Sequence, residues 1–337
     1  MEKNMKVAQL TKYEKNAKLK IKDLPVPKIA TNEVLVKVKV AAVNPLENLI
    51  TSGSVKLIQN YQLPATMGNE LTGIIEKVGD KVRDFKIGDK IYSRLPLNKI
   101  GAFAEYVAIN QDAIALLPKN LNFSTGAAAP LTGLTAYQGL HEELHASAGK
   151  TIFIPGGSGS FGQMAVPIAK DMGLNVIVSG NNRSREQVMN IGVTQFLDYK
   201  TENYWEILHD VDYVIDTLGA KEIDKELSIL KNGGRLLSLK AGPNKQFAID
   251  HNLPWWKQIL FAIAGSKIDN KAKKANVKYR FIFVRSNGQQ LKKITQIIEK
   301  ENIIPAIDPK EFHLNDINKA IDYMTHEHPK GKVLIHF

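Results

Sequence analysis

The chain has 337 residues, enough for about two domains with sizeable cores. It is 44% apolar and 23% charged and has no cysteine, which excludes disulfides, iron–sulfur clusters, cysteine nucleophiles and thiolate-bound zinc. The formal charge of +11 comes from 45 basic and 34 acidic residues, but the lysines are dispersed without clustered aromatics, so nucleic acid is not the expected partner.

The first residues, MEKNMKVAQL, contain no apolar run of signal-peptide length. The longest apolar run, residues 259–264, is too short to span a bilayer. The expectation is a cytoplasmic protein without membrane association. Residues 33–43 alternate apolar and polar side chains and predict a half-buried strand. Residues 69–79, 85–93 and 101–109 predict further short strands between glycine turns. Near residue 122 the rhythm changes to alternating helices and strands. Residues 124–143 predict a small-residue helix with Ser124 as its N-cap. Strands follow at 151–154, 175–180, 195–199, 213–217, 234–239 and 279–284. That alternation implies a doubly wound parallel sheet. A helix at 289–301, an extended piece at 303–307, a helix at 315–325 and a strand at 332–337 close the chain. The expected division is 1–122 with 286–337, and an inserted cofactor domain at 123–285. His326 and His328 lack metal-ligand spacing and read as a solvated loop.

Between the first of the parallel strands and its helix stands TIFIPGGSGSFG, residues 151–162. Gly157, Gly159 and Gly162 fit G-x-G-x-x-G in the strand–turn–helix context that the pattern needs. The expected roles are a tight turn at Gly157, close approach of a pyrophosphate at Gly159, and helix–strand packing at Gly162. Ser158, Ser160 and Phe161 complete the phosphate-facing turn, and the ring of Phe161 is expected in the helix–sheet packing. At the end of the second strand, no carboxylate occurs between Asp171 and Glu186. Asn181, Asn182, Arg183, Ser184 and Arg185 stand there instead, suited to the 2′-phosphate of NADPH. Tyr199, Thr217, Leu218, Phe283 and Val284 end later strands and join the cofactor-binding set. Asp216 reads as the cap of a turn.

Taken together, residues 41–45 with Gly53, Met67-Gly68-Asn69-Glu70 with Gly73, Gly88-Asp89, Thr135-Ala136-Tyr137, the glycine turn, Asp216–Gly219 and Gly331-Lys332-Val333 form a pattern. The chain resembles the medium-chain dehydrogenase/reductase superfamily, and within it the zinc-free quinone and enone oxidoreductases. The resemblance implies a GroES-like β-rich catalytic domain and a Rossmann NADP(H)-binding domain. Zinc relatives carry a cysteine near Asn44 and a histidine at Asn69; neither is present, so no metal is expected. Glu47 stands where the branch has aspartate, and Leu49 where some enone reductases have a cofactor-contacting lysine.

The implied activity is hydride transfer from NADPH to a quinone or an α,β-unsaturated carbonyl, with hydrogen-bond donors stabilising the developing enolate. The alternatives are an enoyl-thioester reductase and a non-catalytic RNA-binding protein. The resemblance places Asn44, Glu47 and Thr135 near the nicotinamide. Asn44 is either a positioning group or a brace for the strand end; Glu47 is either a site carboxylate or a solvated loop residue. Tyr61 and Tyr92 are candidate donors. Residues 253–278, with Trp255 and Trp256, read as a cap over an apolar substrate pocket or as an ordinary packed helix. The sixth strand lies at the sheet edge, and the resemblance implies a homodimer joined there.

Overall fold

A computed structural model describes residues 3–327 and 329–337; His328, expected in a solvated loop, lies outside them. The chain divides into two compact units, Met1–Leu134 with Arg285–Phe337, and Thr135–Val284. The first boundary therefore falls after Leu134 rather than near residue 122, because the first helical segment packs on strands of the first unit.

In the first unit, β1 (Asn4–Leu10) pairs antiparallel with β2 (Lys20–Pro25). The next strand, β3 (Glu33–Val43), was expected to be half-buried. Leu35, Ala41 and Val43 are nonetheless buried along with Val34, Val36 and Val38. The excess burial comes from helical segments packed across the strand, which put Val40 and Ala42 in one core with Ala127. Asn44 follows β3 as the N-cap of α1 (Pro45–Thr51), which starts with proline at its first position, where a missing N–H costs nothing. After β4 (Ala65–Thr66), β5 (Glu70–Val78) pairs with β3, and β6 (Lys90–Arg94) pairs with β5. Next come β7 (Tyr106–Asn110), on β3, and β8 (Ile114–Leu116), on β6. The N-cap of α2 (Phe123–Ala127) is Asn122, whose side chain accepts the Thr125 N–H at 2.9 Å; Ser124, the expected cap, sits inside the helix. Pro130 starts a separate helix, α3 (Pro130–Gln138), since a proline begins a helix more readily than it continues one.

The second unit alternates strands and helices: β9 (Thr151–Ile154), α4 (Ser160–Asp171), β10 (Asn175–Gly180), α5 (Arg185–Asn190), β11 (Gln195–Asp198) and α6 (Tyr204–Ile207). It continues with β12 (Val211–Asp216), α7 (Ile223–Ser228), β13 (Leu230–Ser238), α8 (Lys245–Asp250), α9 (Trp255–Lys274) and β14 (Lys278–Phe281). The six strands are parallel, in the order β11-β10-β9-β12-β13-β14. The order reverses between β9 and β12, the switch point where such sheets take ligands. One side of the sheet is filled by Phe153, Leu197, Val214 and Leu236. Helix α9 packs by one face on α7, α8 and β14 and leaves the other open. Phe261 is buried against Phe247, but Trp255 is 73% exposed and Ile263 68%.

The chain then returns to the first unit through α10 (Gly288–Lys300), β15 (Phe312–His313), α11 (Ile317–His326) and β16 (Val333–His336). Leu291, Ile294, Ile297 and Ile298 recur at helical spacing and form the buried face of α10. Tyr92 bonds the Leu291 carbonyl at 2.8 Å and the Thr295 hydroxyl at 2.9 Å, a buried brace rather than a free donor. Strand β16 pairs antiparallel with β3, Val333 opposite Val43, which brings Lys332 to Asn44.

Candidate active site

The glycine turn forms as a close-packed cradle at the carboxyl end of β9. The left-handed residue is Gly156 (φ +66°), not Gly157. Gly157 is needed for space: a Cβ there would lie 2.7 Å from the Val178 side chain. At Gly162 the constraint is stronger, since a Cβ would lie 1.8 Å from the Gly157 carbonyl oxygen. Gly159 caps α4 with extended backbone and no side-chain bond, so side chains of the turn leave the first-turn N–H groups uncapped. Twelve residues of helix point their positive end at that turn. The cradle therefore fits a pyrophosphate. Ser158 and Ser160 are half-buried beside it, and so is Phe161, whose ring is not fully taken into the helix–sheet packing.

Asn181 turns the chain after β10 by accepting the Arg183 N–H at 3.1 Å. Arg183 is exposed, with Asn182 beside it and Ser184 half-buried. Arg185 is more committed. Its Nε donates to Asn182 Oδ1 at 2.9 Å, its guanidinium stands over the Phe196 ring, and Glu202 lies 3.8 Å away. Arg183 is thus the freer of the two for a phosphate. Tyr199 is 58% exposed just past β11. The Thr217 hydroxyl donates to the Pro155 carbonyl at 2.6 Å, tying the β12 turn to the glycine turn. Asp216 is the expected cap: one oxygen accepts the N–H groups of Leu218 and Gly219, both at 2.7 Å, and the other takes the Ser238 hydroxyl at 2.5 Å. Phe283 and Val284 lie beyond the end of β14 and are half-buried. On α7, Glu226 is fully buried. Burial, together with Asp216, pushes its carboxyl up to about 9.

In the first unit a polar cluster is sealed inside the β-rich core. Glu47 is not a solvated loop residue; it is fully buried. Its carboxylate accepts the Asn44 N–H at 2.6 Å, capping α1, and the Asn69 amide at 2.8 Å. Burial raises its carboxyl to about 7. The Asn44 side chain is a brace: its amide donates to Glu70 at 2.9 Å and more weakly to the Ala42 carbonyl, and its oxygen accepts from Lys332 at 2.5 Å. Lys332 also pairs with Glu70 at 2.9 Å, with 7% and 0% of the two side chains exposed. The second Glu70 oxygen accepts the Leu131 N–H at 2.7 Å, holding the start of α3. Thr135 follows on α3, half-buried. Tyr61 is 8% exposed, and burial raises its phenol to about 12. Fully buried Arg94 lies on β6 in register with Glu70.

Sequence reasoning placed Asn44, Glu47 and Tyr61 in this region but did not single out Glu70, Lys332, Arg94 or Glu226. Glu70 stands in Met67-Gly68-Asn69-Glu70 and Lys332 in Gly331-Lys332-Val333, each beside an apolar strand, and that setting was their signal. Arg94 ends the short strand KIYSR, and Glu226 looks like one more charge in a polar helix. Among the described residues no three His, Asp or Glu stand together to hold a metal, and no helix is long and apolar enough to cross a membrane.

A parallel sheet that reverses order beside a phosphate cradle, joined in one chain to a β-rich unit with a buried polar cluster, defines an oxidoreductase built around a nicotinamide cofactor. The family comparisons agree with that class. Residues 30–119 match the alcohol dehydrogenase GroES-like domain, and residues 191–335 the zinc-binding dehydrogenase domain. A 2-methylene-furan-3-one reductase of Solanum lycopersicum is 30% identical over 98% of this chain and 79% of its own length. An NADPH-dependent alkenal/one oxidoreductase of Arabidopsis thaliana, a chloroplastic protein, is 29% identical over 93% of this chain and 74% of its own. Among solved structures, a quinone oxidoreductase from Coxiella burnetii superposes with a TM-score of 0.80 at 24% identity, covering 99% of this chain and all of that one. The chain belongs to the medium-chain dehydrogenase/reductase superfamily, in its quinone and enone oxidoreductase branch.

Proposed function

We propose that the protein is an NADPH-dependent reductase of quinones and α,β-unsaturated carbonyls that works without a metal. The observation that carries the cofactor choice is the loop after β10. It has no carboxylate to hold a ribose 2′-hydroxyl, and it presents an exposed Arg183. The relatives named for alkenal and furanone substrates support the substrate class. When bound, the cofactor supplies the hydride. The chain's residues do the rest: the α4 N-terminus holds the pyrophosphate, and the Asp216 and Thr217 bonds fix the neighbouring turn. Asn44, Glu47, Tyr61 and Thr135 are assigned to the catalytic region. Asn44 acts there through the Glu70 and Lys332 contacts that fix its side chain.

Tyr199, Leu218, Phe283 and Val284 are assigned to the walls around the adenosine and nicotinamide ends. The edge strand β14 is assigned to pairing with a second copy of the chain, and the cysteine-free composition fits a reducing, cytoplasmic setting. Replacing Arg183 by alanine removes a charge-assisted contact to the 2′-phosphate. The KM for NADPH is expected to rise about tenfold or more while that for NADH stays unchanged. Steady-state kinetics with both cofactors checks this, and an equal change in the two KM values sinks the assignment.

A further inference from the structure

The end of β10 has no room for a side chain. A Cβ on Gly180 would lie 2.8 Å from the Ser158 hydroxyl and 3.0 Å from the Phe196 ring. The carboxylate that reaches the loop comes instead from the turn after β11. The Tyr199 N–H donates to the Gly180 carbonyl at 3.2 Å, which docks that turn on the end of β10. The turn is closed from both sides. The Glu202 N–H donates to the Asp198 carbonyl at 2.8 Å, and Glu202 Oε2 accepts the Asp198 N–H at 2.7 Å. The same Oε2 lies 3.8 Å from Nη2 of Arg185.

Arg185 is therefore held on three sides: by Asn182 at 2.9 Å, by the Phe196 ring, whose centroid is 5.0 Å from the guanidinium carbon, and by Glu202. The ion pair is the weak member. Its two side chains are 48% and 35% exposed, and water screens a pair of that kind. A phosphate monoester carries roughly −1.5 to −2 charges at neutral pH and binds a guanidinium through two parallel bonds. We propose that Glu202 competes with the 2′-phosphate of NADPH for Arg185 and so sets how strongly the protein prefers NADPH to NADH. The inference rests on the NADPH reading of this loop and names the residue that tunes it.

The two arginines of the loop differ in what each gives up. Arg183 is exposed and enters no ion pair among the described residues, so it meets a phosphate without breaking one. Arg185 leaves Glu202 to do the same. Glu202 keeps its bond to the Asp198 N–H in either state, so the turn holds its shape while the arginine changes partner. NADH brings no anion to this point, and its binding is indifferent to the pair.

The test is calorimetric binding of adenosine 2′,5′-bisphosphate and of adenosine 5′-monophosphate to the full-length protein, with no turnover involved. Glu202→Gln removes the charge and keeps an oxygen for the Asp198 N–H. It should tighten the bisphosphate roughly two- to fivefold and leave the monophosphate unchanged. In an Arg185→Met background the same replacement should bring no gain, because the competition runs through that guanidinium. A merely structural Glu202 would shift both ligands together, and that result overturns the inference. So does a gain that persists in Arg185→Met, which would place the effect of Glu202 on the phosphate directly. A parent that prefers the bisphosphate by a factor that Glu202→Gln does not change overturns the competition and leaves the NADPH reading standing. Equal affinity for the two ligands in parent and variant alike overturns both.

Discussion

Replacing Lys332 by methionine is expected to remove about 3–5 kcal/mol of stability, because it leaves Glu70 a buried carboxylate without its cation. The effect is large for a geometric reason. Lys332 Nζ lies 2.9 Å from Glu70 and 2.5 Å from Asn44, and both members of the ion pair are shielded from water. Deleting the ammonium therefore strands a charge and releases the Asn44 side chain together. The second change Glu70→Gln, made on top of Lys332→Met, neutralises the stranded group and should recover most of the loss. Urea unfolding of the single and double variants measures both values. A loss below about 1 kcal/mol in Lys332→Met, the range of an exposed pair, would mean that water reaches the cluster.

The second large effect concerns pH. Glu226 has an ordinary carboxyl value of 4.5, raised in the fold to about 9 by burial, with Asp216 and Glu222 adding to the shift. Between those values the native state keeps a proton that the unfolded state releases, so stability falls as pH rises, by about 1.4 kcal/mol per unit. Glu47 adds a second window of the same sign, from 4.5 to about 7. From pH 7 to 9 the slope belongs mainly to Glu226, and the protein should lose about 2–3 kcal/mol there. Glu226→Gln mimics the protonated acid and should flatten that part of the profile, leaving the variant the more stable of the two in alkaline buffer. Parallel pH–stability curves for the two proteins would show that Glu226 is ionised in the native state.

Much of the fold was legible because it rests on patterns of period and punctuation. The strand expected at residues 151–154 is β9, with the same ends, and the order of helices and strands follows the sequence pattern through β14. Other features depend on tertiary neighbours that a local pattern does not contain. Burial of β3 beyond one face comes from helices that pack across it, such as α2 through Ala127. Asn122 displaces Ser124 as a cap because its side chain reaches the Thr125 N–H and the helix starts two residues earlier.

The site shows the same division. The glycine turn and the loop at residues 181–185 are contiguous and carry their chemistry in sequence. The polar cluster is assembled from Asn44, Glu47, Tyr61, Asn69, Glu70, Arg94 and Lys332, on segments far apart in the chain. Its central ion pair joins residues whose hydrogen-bonded partners lie up to 288 positions away. Glu47 was ambiguous for this reason: the tripeptide around it looks like a polar loop, and only the fold reveals that it is buried with its carboxylate held by Asn44 and Asn69.

The most direct test of the account is the oxidation of NADPH by the purified protein with benzoquinone and a short enone, run beside NADH and in the presence of a metal chelator. The account predicts turnover with NADPH, much slower turnover with NADH, and no effect of the chelator. Equal rates with the two cofactors, or activity abolished by the chelator, would contradict it.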